Sequence, residues 1–140
     1  MKLIIYSDGA SRGNPGPAGV GLVIYDEKRK ELEKFSGYIG ITTNNVAEYK
    51  ALVKALEVAK KYIPCSIEIF LDSELVVRQM IGEYRVKDSN LSDYFRQAQT
   101  LVSDFDNVDF TYIPRNKNKV ADNLANRAIN LSEHLEKKSS

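Results

Sequence analysis

The segment NNVAEYKALVKAL (44–56) puts a carboxylate where a hydrophobic core belongs. Read with helical periodicity, Ala51, Leu52, Ala55, Leu56 and Ala59 form one apolar stripe, and Glu48 stands at the head of that stripe. A carboxylate turned toward a core is costly unless something pairs with it. Such a helix is tolerable only in a fold that brings a partner to Glu48.

The rest of the chain supplies an alternating pattern. KLIIYSD (2–8), VGLVIYD (20–26) and LEKFSGYIG (32–40) read as three strands joined by turn material, GASRGNPGPAG (9–19) and EKRKE (27–31). TTNN (42–45) is a cluster of capping residues that starts a helix over about 46–62, closed by Pro64. A strand at 66–72, a short helix at 73–82 stopped by Gly82, a helix at 89–105, a strand at 108–114, a loop at 115–119 and a last helix at 120–135 follow. A meander that feeds alternating strands and helices predicts an α/β fold, a mixed sheet with helices on its faces. No repeat or low-complexity linker divides the chain, so residues 1–135 are expected to form a single domain, with 136–140 a frayed tail.

Three further acids fall at element ends. Asp8 and Asp72 close two strands, and Asp122 lies in the first turn of the last helix. If those two strands are parallel neighbours, their acids emerge together at the C-terminal edge of the sheet, where open α/β sheets bind ligands. Each acid alone also suits a turn, a cap or a helix dipole. Together with Glu48 they would repel one another, and a hard divalent cation resolves that repulsion; an all-oxygen set suits Mg²⁺ or Mn²⁺ rather than zinc.

Composition narrows the classes. The net charge is only +1, so any nucleic-acid site has to be a local patch. A single cysteine, Cys65, excludes a disulfide framework within the chain and reads as an apolar filler. No apolar run approaches the roughly 20 residues that span a bilayer, and the first residues turn polar at once, so the chain reads as cytoplasmic, with a monomer as the default.

Four motifs in order, YSDGASRGNPGPAGVGLV, TTNNVAEYKAL, IFLDSELVVRQM and VADNLANRA, resemble type 1 ribonuclease H over nearly the whole chain. The resemblance implies a ribonuclease H-like fold, a five-stranded mixed sheet in the order 3-2-1-4-5 with helices on both sides. It implies four acidic metal ligands, Asp8, Glu48, Asp72 and Asp122, holding two Mg²⁺ ions, with Mn²⁺ as a substitute. It implies contacts to an RNA–DNA hybrid from Gly9, Asn14, Asn44 and Asn45. The reaction implied is endonucleolytic hydrolysis of the RNA strand, leaving 5′-phosphate and 3′-hydroxyl ends. Glu48 would then face a metal and, through it, the scissile phosphate.

The chain departs from that pattern in three places. Many relatives carry a histidine in the loop before the last acid; here the loop reads PRNKNKVAD, and the only histidine, His134, lies near the C-terminus. Arg115 stands roughly where that histidine would be. It cannot act as a base near neutral pH, so its expected role in catalysis is to bind the scissile phosphate or stabilise developing charge. The basic protrusion of some relatives is missing, since GEYRVKDSN carries only Arg85 and Lys87. Hybrid affinity is therefore assigned to Arg115, Lys117 and Lys119 in the late loop and to Lys50, Lys54, Lys60 and Lys61 on the first long helix. Glu74 stands where the family often has glutamine, facing either the site or away from it. Two other readings stay open: a nuclease of the same fold that also cuts double-stranded RNA, and a catalytically inactive nucleic-acid-binding module.

Overall fold

The computed structural model describes the backbone of residues 1–139 and the side chains of residues 1–137. Strands β1 (Lys2–Ser11), β2 (Gly16–Tyr25) and β3 (Glu31–Thr42) form the meander. Helix α1 (Asn44–Ala59), strand β4 (Ser66–Leu71), helices α2 (Glu74–Met80) and α3 (Ser89–Val102), strand β5 (Asn107–Tyr112) and helix α4 (Lys119–Ser139) follow. The sheet order is β3-β2-β1-β4-β5. β1–β2 and β2–β3 are antiparallel, and β1–β4 and β4–β5 are parallel, which makes the mixed five-stranded sheet expected from the motifs.

The alternation of β4 explains its place. In SIEIFL, Ile67, Ile69 and Leu71 are buried while the residues between them are only partly so. They join Leu3 and Ile5 of β1 beneath Tyr49, Leu52 and Leu56 of α1. Tyr49 is fully buried, and its hydroxyl donates to Gln79 Oε1 at 2.5 Å, so the one polar atom this large ring brings into the core is paired. Helix α4 covers the opposite face, over β1, β2 and β3.

Several boundaries differ from the sequence reading for local reasons. The glycine-rich segment is not all turn: β1 runs on to Ser11, which pairs with Ala18, and Arg12 N–H donates to Pro17 O at 2.8 Å. Asp8 therefore sits inside a strand rather than at its end. Helix α1 starts at Asn44, which puts Glu48 in its second turn, and Thr43 is its cap, accepting from Val46 N–H at 3.2 Å. The presumed tail is helical: α4 continues through Ser139, because nothing in SEHLEKKS breaks a helix, and Ser140 lies outside the described residues. The connection from Ile81 to Asp88 carries no helix, so no protrusion is built there. Among the described residues no helix is long and apolar enough to cross a membrane.

Two glycines set how closely helices approach the sheet. A Cβ on Gly9 would lie 2.1 Å from Ala47 O of α1, and one on Gly21 would lie 2.2 Å from Ala121 O of α4. Asp8 pairs with Gly21, so the acid-bearing stretch of β1 is where both helices come nearest. Gly21→Ala forces backbone apart on the α4 side without touching an acid. We expect it to destabilise the fold by roughly 3 kcal/mol, read as a lower urea midpoint with an unchanged slope.

Candidate active site

The parallel ladder between β1 and β4 ends at the pair Ser7–Leu71, and the next residue on each strand is an acid. Asp8 and Asp72 thus stand side by side just past the end of that ladder, Asp8 still within β1. Glu48 reaches the same point from α1, and one carboxylate oxygen from each of the three lies within 4.8 Å of the others. Asp8 and Glu48 are buried, and Asp72 is half-buried.

The partner of Glu48 is in part the backbone. Gly9 N–H donates to Glu48 Oε1 at 2.7 Å. The missing Cβ that lets α1 close on β1 is also what brings this amide within reach. The other oxygen, Glu48 Oε2, is buried and has no hydrogen-bond partner. Burial, with the neighbouring carboxylates, raises the affinity of both Asp8 and Glu48 for protons well above the ordinary carboxylate range. An orphaned oxygen, three converging carboxylates and no nitrogen or sulfur donor fit a divalent cation bound through oxygen.

Asp122, in the first turn of α4, stands outside the group of three converging carboxylates. Its Oδ1 accepts from Asn126 Nδ2 at 3.1 Å and lies 3.5 Å from Arg115 Nη2. Arg115 is exposed, and its side chain forms one wall of a pocket of about 260 Å³ that also takes in Asp8, Gly9, Asn44, Glu48 and Asp72. No histidine lines that pocket, and His134 is exposed far along α4. Asn14 Oδ1 accepts from Asn44 N–H at 3.0 Å, tying the β1–β2 turn to the start of α1. Because Thr43 does the capping, the side-chain amides of Asn44 and Asn45 are left exposed and uncommitted among the described residues.

Other expected residues fall elsewhere. Lys117 and Lys119 line a separate hollow of about 180 Å³ with Tyr6 and Tyr25, not the acid pocket. Lys60 is paired with Asp104 and Lys61 with Glu33, both as partly exposed surface ion pairs. Lys50 and Lys54 rest over the rings of Tyr94 and Phe35. Glu74 pairs with Arg78 one turn on, Arg78 also holds Glu83, and Glu74 is not among the residues that line the acid pocket. Cys65 is buried and free, as a filler should be.

Two residues at the site were not singled out from the sequence. Ser73 caps α2 and lines the pocket beside Asp72. Asn118 is almost fully buried, and its Nδ2 lies 2.9 Å from Ser7 O and 3.3 Å from Asp72 Oδ2. In the sequence it is one polar residue of RNKNK, and only its place four residues before Asp122 marks it.

A sheet in this order with converging acids at the end of its central parallel pair defines the ribonuclease H-like class of nucleic-acid enzymes. Comparison with known proteins agrees. A family model described as reverse transcriptase-like matches residues 6–128. A structure of RNase H1 from Halobacterium salinarum superposes with a TM-score of 0.90 at 41% identity, covering 93% of this chain and 98% of that one. LC11-RNase H1, solved in complex with an RNA/DNA hybrid, gives a TM-score of 0.89 at 47% identity over 93% of this chain and 98% of its own. A bifunctional protein of Mycobacterium tuberculosis is 43% identical over 130 residues, 92% of this chain. This chain spans only 36% of that relative's length. The chain belongs to the type 1 ribonuclease H family.

Without metal the acid pair is a liability, and its sign follows from the raised proton affinities. Above about pH 4, where an unfolded carboxyl has lost its proton, the folded site still holds one, so stability falls as pH rises through neutrality. Asp8→Asn removes that penalty. In EDTA we expect the variant to be more stable than wild type at pH 8 by about 1–2 kcal/mol, with the gap narrowing toward pH 4, measured by thermal melts across pH.

Proposed function

We propose that this chain is a metal-dependent endoribonuclease that hydrolyses the RNA strand of RNA–DNA hybrids, leaving 5′-phosphate and 3′-hydroxyl ends. The observation that carries this reading is the cluster of Asp8, Glu48 and Asp72 with its unpartnered Glu48 oxygen, set in a pocket shared with Asn44 and Arg115. Similar proteins support it: one is named Ribonuclease HI, and another was solved with a hybrid.

Asp8, Glu48, Asp72 and Asp122 are the ligands assigned to two Mg²⁺ ions, with Mn²⁺ as a substitute. When bound, such ions neutralise the acids, activate a water and stabilise the leaving 3′-oxygen. Bound cations would favour the deprotonated forms of Asp8 and Glu48, the two groups whose proton affinity is raised. Gly9 N–H keeps Glu48 from rotating away. Water oxygen forms the new bond to phosphorus, the bond from phosphorus to the 3′-oxygen breaks, and protons exchange with solvent, since no histidine lines the pocket.

Arg115 holds a non-bridging oxygen of the scissile phosphate, with Asp122 steering its guanidinium from behind. Its exposure leaves it reach without a rigid seat. Gly9, Asn14, Asn44 and Asn45 face the strands of the hybrid. Neutral amides match a 2′-hydroxyl, which both donates and accepts and distinguishes RNA from DNA. Lys117 and Lys119 contribute charge from beyond the pocket rim. Their small number predicts modest affinity with a clear salt dependence.

The direct test is cleavage of end-labelled hybrid, double-stranded RNA and double-stranded DNA by wild type and Asp8→Asn in Mg²⁺, Mn²⁺ and EDTA. The expected outcome is cutting of the hybrid's RNA strand alone, only with metal and only by wild type. Cutting of double-stranded RNA as well would widen the substrate class, and hybrid binding without any cutting would leave a binding module. Arg115→Ala should lower kcat/KM by roughly 10- to 100-fold, the size of one hydrogen bond to a charged group. Unchanged kinetics would remove Arg115 from the mechanism.

A further inference from the structure

We propose that Asn118 is a positioning residue of the acid cluster, its side-chain amide holding Asp72 in the orientation that the metal site requires. This rests on the nuclease reading above.

A primary amide carries two N–H donors, and Asn118 places both at one junction. Nδ2 lies 2.9 Å from Ser7 O, on the last residue of β1 paired with β4, and 3.3 Å from Asp72 Oδ2. Its own carbonyl oxygen accepts from Asp122 N–H at 3.0 Å, in the first turn of α4. One residue therefore links the backbone next to Asp8, the carboxylate of Asp72 and the helix start that carries Asp122. Satisfying Asp72 Oδ2 from behind leaves its other oxygen to turn toward Asp8 and Glu48.

The cost of this arrangement is visible. Asn118 is 1% exposed, and its Oδ1 has no hydrogen-bond partner. A buried acceptor without a partner is destabilising. A residue that merely filled the space would not carry that cost, and an aspartate or a leucine of similar size would supply neither donor. Serine and histidine would supply one. Only the amide of asparagine serves Ser7 O and Asp72 from a single nitrogen at this reach. At the cap position of α4 it also forgoes the usual use of such a side chain: the amide turns inward and does not cap the helix.

The experiment compares wild type, Asn118→Ala and Asn118→Ser. Mn²⁺ binding is measured by calorimetry on metal-stripped protein without nucleic acid, alongside thermal melts and separate kcat and KM values on a hybrid. The expected result is a folded Asn118→Ala protein whose Mn²⁺ affinity falls by roughly 10- to 100-fold, the usual effect of removing a group that orients a metal ligand. Its kcat should fall while KM for the hybrid stays near wild type, and Asn118→Ser, with one donor left, should lie between. A lower melting temperature with wild-type Mn²⁺ affinity and kcat would reduce Asn118 to packing and overturn the proposal. If the alanine variant does not fold, the serine variant decides on the same readouts. Wild-type protein that binds Mn²⁺ but cuts no hybrid would sink the nuclease reading, while the Mn²⁺ affinities would still decide the role of Asn118.

Discussion

The hydrogen bond from Gly9 N–H to Glu48 Oε1, 2.7 Å long, is the hinge of this architecture. It exists only because the glycine lets α1 lie against β1 so closely that a methyl group would strike Ala47 O. Once α1 is seated there, Leu52 and Leu56 meet Leu3, Ile5 and Ile69, and the central parallel pair acquires its core. The same contact carries Glu48 into the space where Asp8 and Asp72 emerge. Packing and site thus share one constraint: the core cannot close without bringing the carboxylates together.

Those carboxylates are held in a state that folding alone does not favour. Burial and neighbouring carboxylates raise the proton affinity of Asp8 and Glu48, and Glu48 Oε2 has no hydrogen-bond partner. Strain of this kind is spread over several elements. The Gly9 amide takes a part of it at Glu48, and Asn126 and Arg115 contact Asp122. The arrangement is ready to receive positive charge, which is what distinguishes it from an ordinary acidic surface.

Much of this was legible in the sequence. An acid on an apolar helical stripe and two acids read at strand ends pointed to Glu48, Asp8 and Asp72, which the structure brings within 4.8 Å of one another, and the element order predicted a mixed sheet. What escaped depends on three-dimensional pairing that no local pattern encodes. The continuation of β1 past Asp8 is set by the partner residues of β2, not by the turn-rich composition of 9–19. The engagement of Lys60 and Lys61 depends on Asp104 and Glu33, which are distant in the chain. Lys117 and Lys119 share a loop with Arg115, yet one turn of tight helix sends them to a different hollow. Asn118 looked like one more polar loop residue because its two acceptors lie on β1 and just past β4.

The last helix has a reach beyond the face it covers. Arg12, in the β1–β2 turn, is gripped by Glu133 at 3.1 Å and Asn130 at 2.5 Å, both on the C-terminal half of α4. Two residues on, Asn14 accepts from the first amide of α1. The turn is thus moored at both sides before any ligand arrives. Ordering a loop at the moment of binding subtracts from affinity. Here that entropy has already been surrendered in folding, so a chain whose net charge is only +1 can spend its limited attraction on recognition, and the far end of α4 becomes a determinant of how the other end of the molecule greets its ligand.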